Sequence, residues 1–384
     1  MKKILYVNSS ARLYGADQSL LELVTILDKR HFTPIVLLPE SGPLCEEMSK
    51  INVETLVEGF VHVERRYFSP AKLLVFFADL IHSVNKIRAI IKQQNIDIVH
   101  SNTSACIASA FAAKLTGTPH IWHIRELAIK PKIVRFFYQL LIPLFANKAI
   151  AASQAVKVNY STSWNRLKNK FIVLPHGIDT KRFERGKGIL RLEYSIPSNV
   201  KIVGNVGMLR SQKGQHLFMS AAKLIMKSNP DVKFFIVGDL FYEQGIISTE
   251  LERLRNDLGL NENVIFTGFR NDIEDVFASF DVFVHTSVSQ ESYGRTILEA
   301  MAASKPVVAF NDGGPGELVK DGHTGFLVPP GNIELMAEKI SDLIRDEYLS
   351  ARMGTEGSRL LKENFSMENY RENLEGIYMS MEII

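Results

Sequence analysis

Glu291 and Glu299 enclose the run Ser-Tyr-Gly-Arg-Thr-Ile-Leu, and the apolar segment Val282-Phe283-Val284-His285 lies just upstream. The order is a strand, a serine-rich loop, a carboxylate, a glycine, and then a helix carrying the second carboxylate. It gathers two acidic acceptors and the opening N–H groups of a helix around one small volume. Carboxylates accept hydrogen bonds from hydroxyls, and a helix N-terminus attracts phosphate through its dipole and its unpaired amides. A hydroxyl-rich ligand bearing phosphate uses both kinds of group. Two glutamates at this spacing are equally the mark of an exposed loop and an ordinary surface helix. The neighbouring clusters must decide.

Five clusters share the same position, directly after a strand. Asn8-Ser-Ser-Ala-Arg-Leu-Tyr-Gly15-Ala16-Asp17 leads into a helix, and its glycine opens the backbone. Ile121-Trp122-His123-Ile-Arg125-Glu126 ends a strand with a histidine, an arginine and a glutamate able to orient a polar ligand. Gly204-Asn-Val-Gly207-Met208-Leu209-Arg210-Ser-Gln-Lys213-Gly214 lets amides approach phosphate while two cations neutralise it. It has neither the Gly-Lys-Ser/Thr of a Walker loop nor the glycine spacing of a dinucleotide fold. Phe266-Thr-Gly268-Phe269-Arg270 offers an aromatic face and backbone polar groups to a base, and Asn311-Asp-Gly313-Gly314-Pro-Gly316-Glu317 adds a further glycine-rich turn.

Short apolar runs of the kind buried on both faces of a parallel sheet position these clusters. The first series is Ile4–Val7, Pro34–Leu38, Ile98–His100, His120–His123, Ala149–Ala151 and Phe171–Leu174. The second is Ile202–Asn205, Lys233–Val237, Val264–Phe266, Val282–His285, Pro306–Ala309 and Gly325–Leu327. Helical stretches such as Ser19–Asp28, Leu73–Gln94, His216–Ser228 and Thr296–Ala303 fill the gaps. Two alternating series imply two doubly wound α/β domains facing each other, with ligands in the cleft at the strand ends. The joint is expected between 180 and 198, where Lys, Arg, Gly and Pro gather, which divides the chain into 1–187 and 188–366. The tail, 367–384, spaces Tyr370, Leu374, Ile377, Tyr378 and Met381 as an apolar helix, a candidate to cross back to the first domain.

Composition narrows the classes. Residues 1–187 hold 26 Lys and Arg against 14 Asp and Glu, out of 45 and 42 in the whole chain, so the first half is basic and the second acidic. The basic residues are scattered and no recognition module is visible, which argues against nucleic acid. Two cysteines, Cys45 and Cys106, show no pairing pattern and point to a reducing compartment rather than a disulfide or zinc framework. The opening Met1–Val7 is too short in its apolar run for a signal peptide, so a cytoplasmic location is expected.

With these clusters in this order, the chain resembles the retaining glycosyltransferases of the GT-B fold, specifically family 4, the group 1 glycosyltransferases. The resemblance rests on Gly207…Lys213-Gly214, Gly268, Glu291-Ser-Tyr-Gly…Glu299-Ala-Met-Ala, Pro306-Val-Val, Gly313-Gly314…Glu317 and Gly325-Phe-Leu-Val-Pro. In the first half it rests on Tyr14-Gly15-Ala16-Asp17, His123 and Leu174-Pro-His-Gly177-Ile-Asp179. It implies a nucleotide diphosphate sugar, of the UDP or GDP type, bound mostly by the second domain. Glu299 would accept the ribose hydroxyls, Glu291 would face the sugar, and the amides of Tyr293, Gly294, Arg295 and Thr296 would assist the phosphates. Lys213 would stabilise the departing diphosphate, His123 would hold a sugar hydroxyl, and Gly15 and Ala16 would line the diphosphate. Gly207, Phe269 and Arg270 complete the expected donor contacts. No metal site and no further cofactor are implied.

One departure matters: the family's Gly-Arg-Leu stands here as Gly207-Met208-Leu209, and Arg210 is the nearest replacement charge. The resemblance also implies retention of configuration and a saccharide or lipid-linked saccharide acceptor, as in surface polysaccharide or glycolipid synthesis. A nucleotide-sugar epimerase or hydrolase and a non-catalytic nucleotide-sugar-binding protein are the competing readings. In the basic half, Arg65-Arg66-Tyr67-Phe68 and Lys130-Pro-Lys132…Arg135…Phe145 set cations beside apolar residues. Such a stretch suits peripheral contact with an anionic membrane, and it equally suits a core helix.

Overall fold

The computed structural model describes residues 1–64, 67, 70–127, 132–161, 170–239 and 246–381. Within them the chain forms two compact units, Met1–His176 with Met367–Ile384, and Gly177–Ser366.

The first unit is built on a parallel sheet of seven strands. They are β1 Lys2–Val7, β2 Phe32–Leu38, β3 Glu54–Val57, β4 Ile98–Ser101, β5 His120–Ile124, β6 Lys148–Ala151 and β7 Phe171–Val173, in the order β3-β2-β1-β4-β5-β6-β7. Both faces are covered, as a parallel sheet requires. Ile4 and Tyr6 of β1 join one core with Leu20, Leu23 and Val24 of the helix Gly15–Ile26. Leu5 and Val7 of the same strand join the opposite core with Ile87, Ile91 and Trp122. The edge strand β3 escapes a reading by apolar runs because its four residues are only partly buried.

The second unit is a parallel sheet of six strands in the order β10-β9-β8-β11-β12-β13. These are β8 Ile202–Val206, β9 Lys233–Val237, β10 Val264–Gly268, β11 Val282–His285, β12 Val307–Phe310 and β13 Gly325–Val328. In both sheets the strand order reverses once. The reversal lies between β1 and β4 in the first and between β8 and β11 in the second. At such a point the helices after neighbouring strands depart to opposite faces, and their loops part to leave a crevice.

The terminal helix Met367–Met379 belongs to the first unit. Its stripe of Tyr370, Leu374, Ile377 and Tyr378 is buried in the core that holds Ile4 and Tyr6. Lys2 secures its end by donating from Nζ to the carbonyls of Tyr378 and Met381, both at 3.0 Å. A lysine there satisfies orphan carbonyls and complements the helix dipole. By packing, the units divide at His176 and Gly177. Phe183 is buried in the second unit's core, Arg182 pairs with Glu274 at 2.7 Å, and the Lys187 amide donates to Asp275. Ile178 and Phe183 are the two large apolar residues of 177–187 that this core buries.

Candidate functional site

In the second unit the loops after β8 and β11 meet at the switch point. Gly207 directly follows β8 and lies against the aliphatic stem of Lys213. Ser211–Lys213 form a short 3-10 turn, and Gly214, at φ +69°, starts the helix Gln215–Ile225. A Cβ on Gly214 would stand 2.0 Å from the Thr286 carbonyl oxygen, so both the backbone angle and the close approach require glycine. Cross-loop bonds lock the pair. Thr286 Oγ1 donates to the Lys213 carbonyl at 2.9 Å, the Val288 amide donates to Gln212 at 2.9 Å, and Asn205 Nδ2 donates to Val284 and Thr286.

This scaffold presses Lys213 Nζ to within 2.6 Å of Glu291 Oε2. The same oxygen accepts from Ser287 Oγ at 3.0 Å and lies 3.7 Å from His285 Nε2. Burial pushes the Glu291 carboxyl up, but the Lys213 charge, His285 and the hydrogen bonds from Lys213 and Ser287 outweigh it. The group falls from 4.5 to about 2. Burial, opposed by Glu291 and reinforced by Lys213, lowers His285 from 6.5 to about 4. The site therefore presents a carboxylate, an ammonium and a neutral imidazole at neutral pH.

A second loop fixes the Glu291 backbone. The Gly314 amide donates to the Glu291 carbonyl at 2.8 Å, and a Cβ on Gly313 or Gly314 would collide with the Glu291 or Tyr293 carbonyl oxygen at 2.3 and 2.2 Å. The paired glycines thus let the loop after β12 pack against the loop after β11. Tyr293 is buried, and Gly294 precedes the helix Arg295–Ala302. That helix leaves its opening amides, those of Arg295 and Thr296 among them, to partners outside its own ladder. Glu299, one turn in and 7% exposed, accepts from Arg295 Nε at 2.9 Å.

Two expected residues stand apart from this cluster. Arg270 is held by Asp272 at 2.7 Å and by Glu193 at 2.9 Å, which keeps its guanidinium at the end of β10. Phe269 beside it is half exposed. Arg210 has no ion pair among the described residues, so its charge is available to an anion.

The first unit has its own cluster at the β1/β4 switch point. Asn8, fully buried, donates from Nδ2 to Asp17 Oδ1 at 2.8 Å and to the Ser10 carbonyl at 2.7 Å. Asp17 also accepts from the Tyr14 amide at 3.1 Å, which folds residues 8–17 into a closed loop. Asn102, after β4, donates to Asn8 Oδ1 at 2.9 Å and to the Ala16 carbonyl at 3.1 Å. Its own Oδ1 accepts from Arg125 Nε at 3.2 Å and from the Arg125 terminal nitrogen at 3.1 Å. Gly15 faces open space, since a Cβ there would meet nothing within 4 Å. His123 is fully buried, with Nδ1 facing His100 and Arg125 and Nε2 lacking any partner among the described residues. Its pKa lies well below 6.5 because of burial, the Arg125 charge and the neighbouring histidines, so the ring is neutral.

The sequence brings Lys213 and Glu291 under suspicion separately, and the structure puts them in contact. Sequence reading missed Ser287, Asn102 and any role for His285 beyond ending a strand. Their shared signal is a polar residue within five positions of a buried strand's C-terminal end. Among the described residues no group of three His, Cys, Asp or Glu side chains is placed to hold a metal ion, and no helix is long and apolar enough to cross a membrane.

Comparison with known proteins gives a consistent picture. The family model described as glycosyl transferases group 1 matches residues 188–360, and that of glycosyltransferase family 4 matches residues 14–182. The capsular polysaccharide biosynthesis glycosyltransferase CapM of Staphylococcus aureus is 29% identical over 79% of this chain and 82% of its own. The UDP-Gal:alpha-D-GlcNAc-diphosphoundecaprenol alpha-1,3-galactosyltransferase of Escherichia coli is 26% identical over 99% of this chain and 97% of its own. The crystal structure of Anabaena Alr3699/HepE in complex with UDP superposes with a TM-score of 0.85 at 25% identity, covering 99% of this chain and all of that one. The same protein in complex with UDP-glucose gives 0.84 at 26% identity, over 99% of this chain and all of that one.

The titration of the Lys213–Glu291 cluster predicts how stability depends on pH. The native His285 ring refuses the proton that the unfolded ring takes near 6.5, so stability falls as pH drops from 6.5 to about 4. Buried His100, His120 and His123, also lowered, act in the same direction. Glu291 contributes stability that is full above 4.5 and is lost as pH falls towards about 2. Urea unfolding midpoints followed across that acid range should fall less steeply in Glu291→Gln than in the wild type. Equal slopes would contradict the assigned ionisation.

Proposed function

Because the chain belongs to the group 1 glycosyltransferases of family 4 and has their GT-B fold, we propose the following reaction. The enzyme moves a hexose-type sugar from a UDP-sugar to a saccharide or lipid-linked saccharide acceptor, with retention of anomeric configuration, in surface polysaccharide or glycolipid synthesis. The observation that carries the reading is the 2.6 Å contact of Lys213 and Glu291 at the β8/β11 switch point, beside the start of the helix Arg295–Ala302. UDP as carrier is supported by the complexes of Alr3699/HepE with UDP and UDP-glucose and by the donor of the galactosyltransferase relative.

The roles follow from charge and placement. Breaking the sugar–phosphate bond builds negative charge on the diphosphate, and preorganised cations and amides stabilise that charge most when water is excluded. Lys213 and Arg210 supply the cations, and the helix opening at Tyr293–Thr296 supplies the amides. Glu291, freed when Lys213 turns to the phosphate, accepts from sugar hydroxyls, and Glu299 accepts from the ribose. Gly207, Phe269 and the Arg270-braced turn border the nucleoside. The first unit supplies His123 to a sugar hydroxyl and the Gly15–Ala16 turn to the diphosphate. The acceptor hydroxyl oxygen attacks the anomeric carbon on the face the diphosphate leaves, and a phosphate oxygen takes its proton. Neither glutamate acts as a nucleophile, because each is committed to binding hydroxyls.

A surface feature supports an acceptor presented at a membrane. The helix Lys132–Phe145 buries Tyr138 and Ile142 but exposes Ile133, Phe136, Phe137, Leu140 and Leu144. The helix Pro70–Gln93 exposes Leu73, Leu74, Val75, Phe77 and Ile81. So much exposed apolar side chain on two helices of a basic unit fits the interface of an anionic bilayer. Of the basic stretches expected to assist, Arg65, Arg66, Phe68 and Lys130 lie outside the described residues.

Two experiments check these readings. Thermal shifts with UDP-, GDP- and ADP-sugars should rank the UDP-sugar first, and Lys213→Ala and Arg210→Ala should each cut turnover by on the order of 100-fold. Wild-type turnover in both variants would remove the leaving-group assignment, and the anomer first seen by NMR of the product decides retention. Separately, the wild type should co-sediment with vesicles containing anionic lipid, and a Phe136→Asp, Phe137→Asp double variant should stay in the supernatant. Absence of lipid-dependent pelleting of the wild type would dismiss membrane contact.

A further inference from the structure

A chain of short contacts runs from the terminal helix to His123, all within the first unit. Tyr6 Oη lies 2.9 Å from Tyr378 Oη, which lies 2.7 Å from His100 Nδ1. His100 Nε2 in turn lies 3.2 Å from His123 Nδ1. All four side chains are fully buried. One end is fixed by chemistry, because an Arg125 terminal nitrogen lies 3.5 Å from His123 Nδ1 and a guanidinium only donates.

The direction of every other bond follows from that end. His123 Nδ1 carries no proton, so His100 Nε2 donates to it. A neutral His100 that donates from Nε2 has a bare Nδ1, and the Tyr378 hydroxyl donates there. The Tyr378 oxygen is left to accept from Tyr6. His123 then carries its single proton on Nε2, the buried atom that has no partner among the described residues. A buried donor left unpaired is costly, so this N–H is held ready for an acceptor that arrives from outside the chain.

We propose that Arg125 and His100 are positioning residues that hold His123 as the Nε2–H tautomer, so that it donates to, rather than accepts from, an oxygen of the bound sugar. The inference rests on the reading of His123 as a sugar contact. It goes further by naming the group that sets the ring's tautomer and by giving the contact a direction. Removing the Arg125 guanidinium leaves His123 Nδ1 free to carry the proton, because the hydroxyls of Tyr378 and Tyr6 can serve the chain in either direction. A bare His100 Nε2 then accepts from His123 Nδ1–H, and the outward donor is lost.

The test is the ring nitrogen NMR of His123 in the full-length protein, together with turnover. In the wild type, Nε2 should show the signature of a protonated nitrogen and Nδ1 that of a bare one. Arg125→Met should shift both towards the opposite tautomer and lower kcat/KM for the donor roughly tenfold, the loss of one neutral hydrogen bond. Leu374→Ala, which removes buried packing from the terminal helix, should lower the unfolding midpoint and leave the His123 signals in place well below it. A wild-type His123 protonated on Nδ1, or equal tautomer shifts in Arg125→Met and Leu374→Ala, would overturn the proposal. Full activity of His123→Ala would instead remove the sugar contact, whatever tautomer the ring adopts.

Discussion

The Lys213–Glu291 cluster and the Asn8–Asn102–Arg125 net both depend on the point at which each parallel sheet reverses its strand order. A strand buried on both faces must send its polar groups to its ends, and only at the reversal do the loops part instead of covering one another. Between β8 and β11 the gap is framed by backbone contacts rather than long side chains: Thr286 to Lys213, Val288 to Gln212, and Gly214 against Thr286. Between β1 and β4 the frame is a side-chain net, Asp17–Asn8–Asn102–Arg125. The difference suits the tasks assigned to them. Under the proposed reading a diphosphate would be met by amides and cations on a rigid backbone, and a sugar hydroxyl by one oriented imidazole.

The energetics of the Lys213–Glu291 pair make it suited to exchange. The two side chains are 31% and 18% exposed, between the surface pair that contributes little and the buried pair that is costly to break. In the proposed exchange, turning Lys213 from a carboxylate to a phosphate would replace one anion by another. The uncharged His285 ring would not replace the ammonium as partner to Glu291, which would then turn to hydroxyl donors. In the first unit the Arg125 cation has a comparable role, because it lowers the basicity of the two histidines behind it without an ion pair of its own among the described residues.

Much of this was legible before any coordinates. Strands buried on both faces read as uninterrupted apolar runs, which is why β1, β8 and β11 and the loops after them stand out. The edge strand Glu54–Val57 does not, since half-exposed residues carry no such run. Lys213, Glu291 and Glu299 were visible through their order along the chain, while the contact between the first two depends on a register of β8 against β11 that local sequence does not encode. For the same reason Ser287 and Asn102 were silent, and so were the partners of His123. His100 and Tyr378 meet only because the terminal helix returns across 278 residues of chain. Composition marks where the apolar period lapses, whereas buried side chains such as Ile178 and Phe183 show to which core a segment belongs.

The central claim is that Lys213 exchanges Glu291 for the donor's diphosphate. Calorimetric titration of the wild type and Lys213→Met with UDP and with uridine measures it directly. The account predicts that the wild type favours UDP strongly, and that the variant loses most of this preference while binding uridine as before. An unchanged ratio of UDP to uridine affinity in Lys213→Met would contradict it.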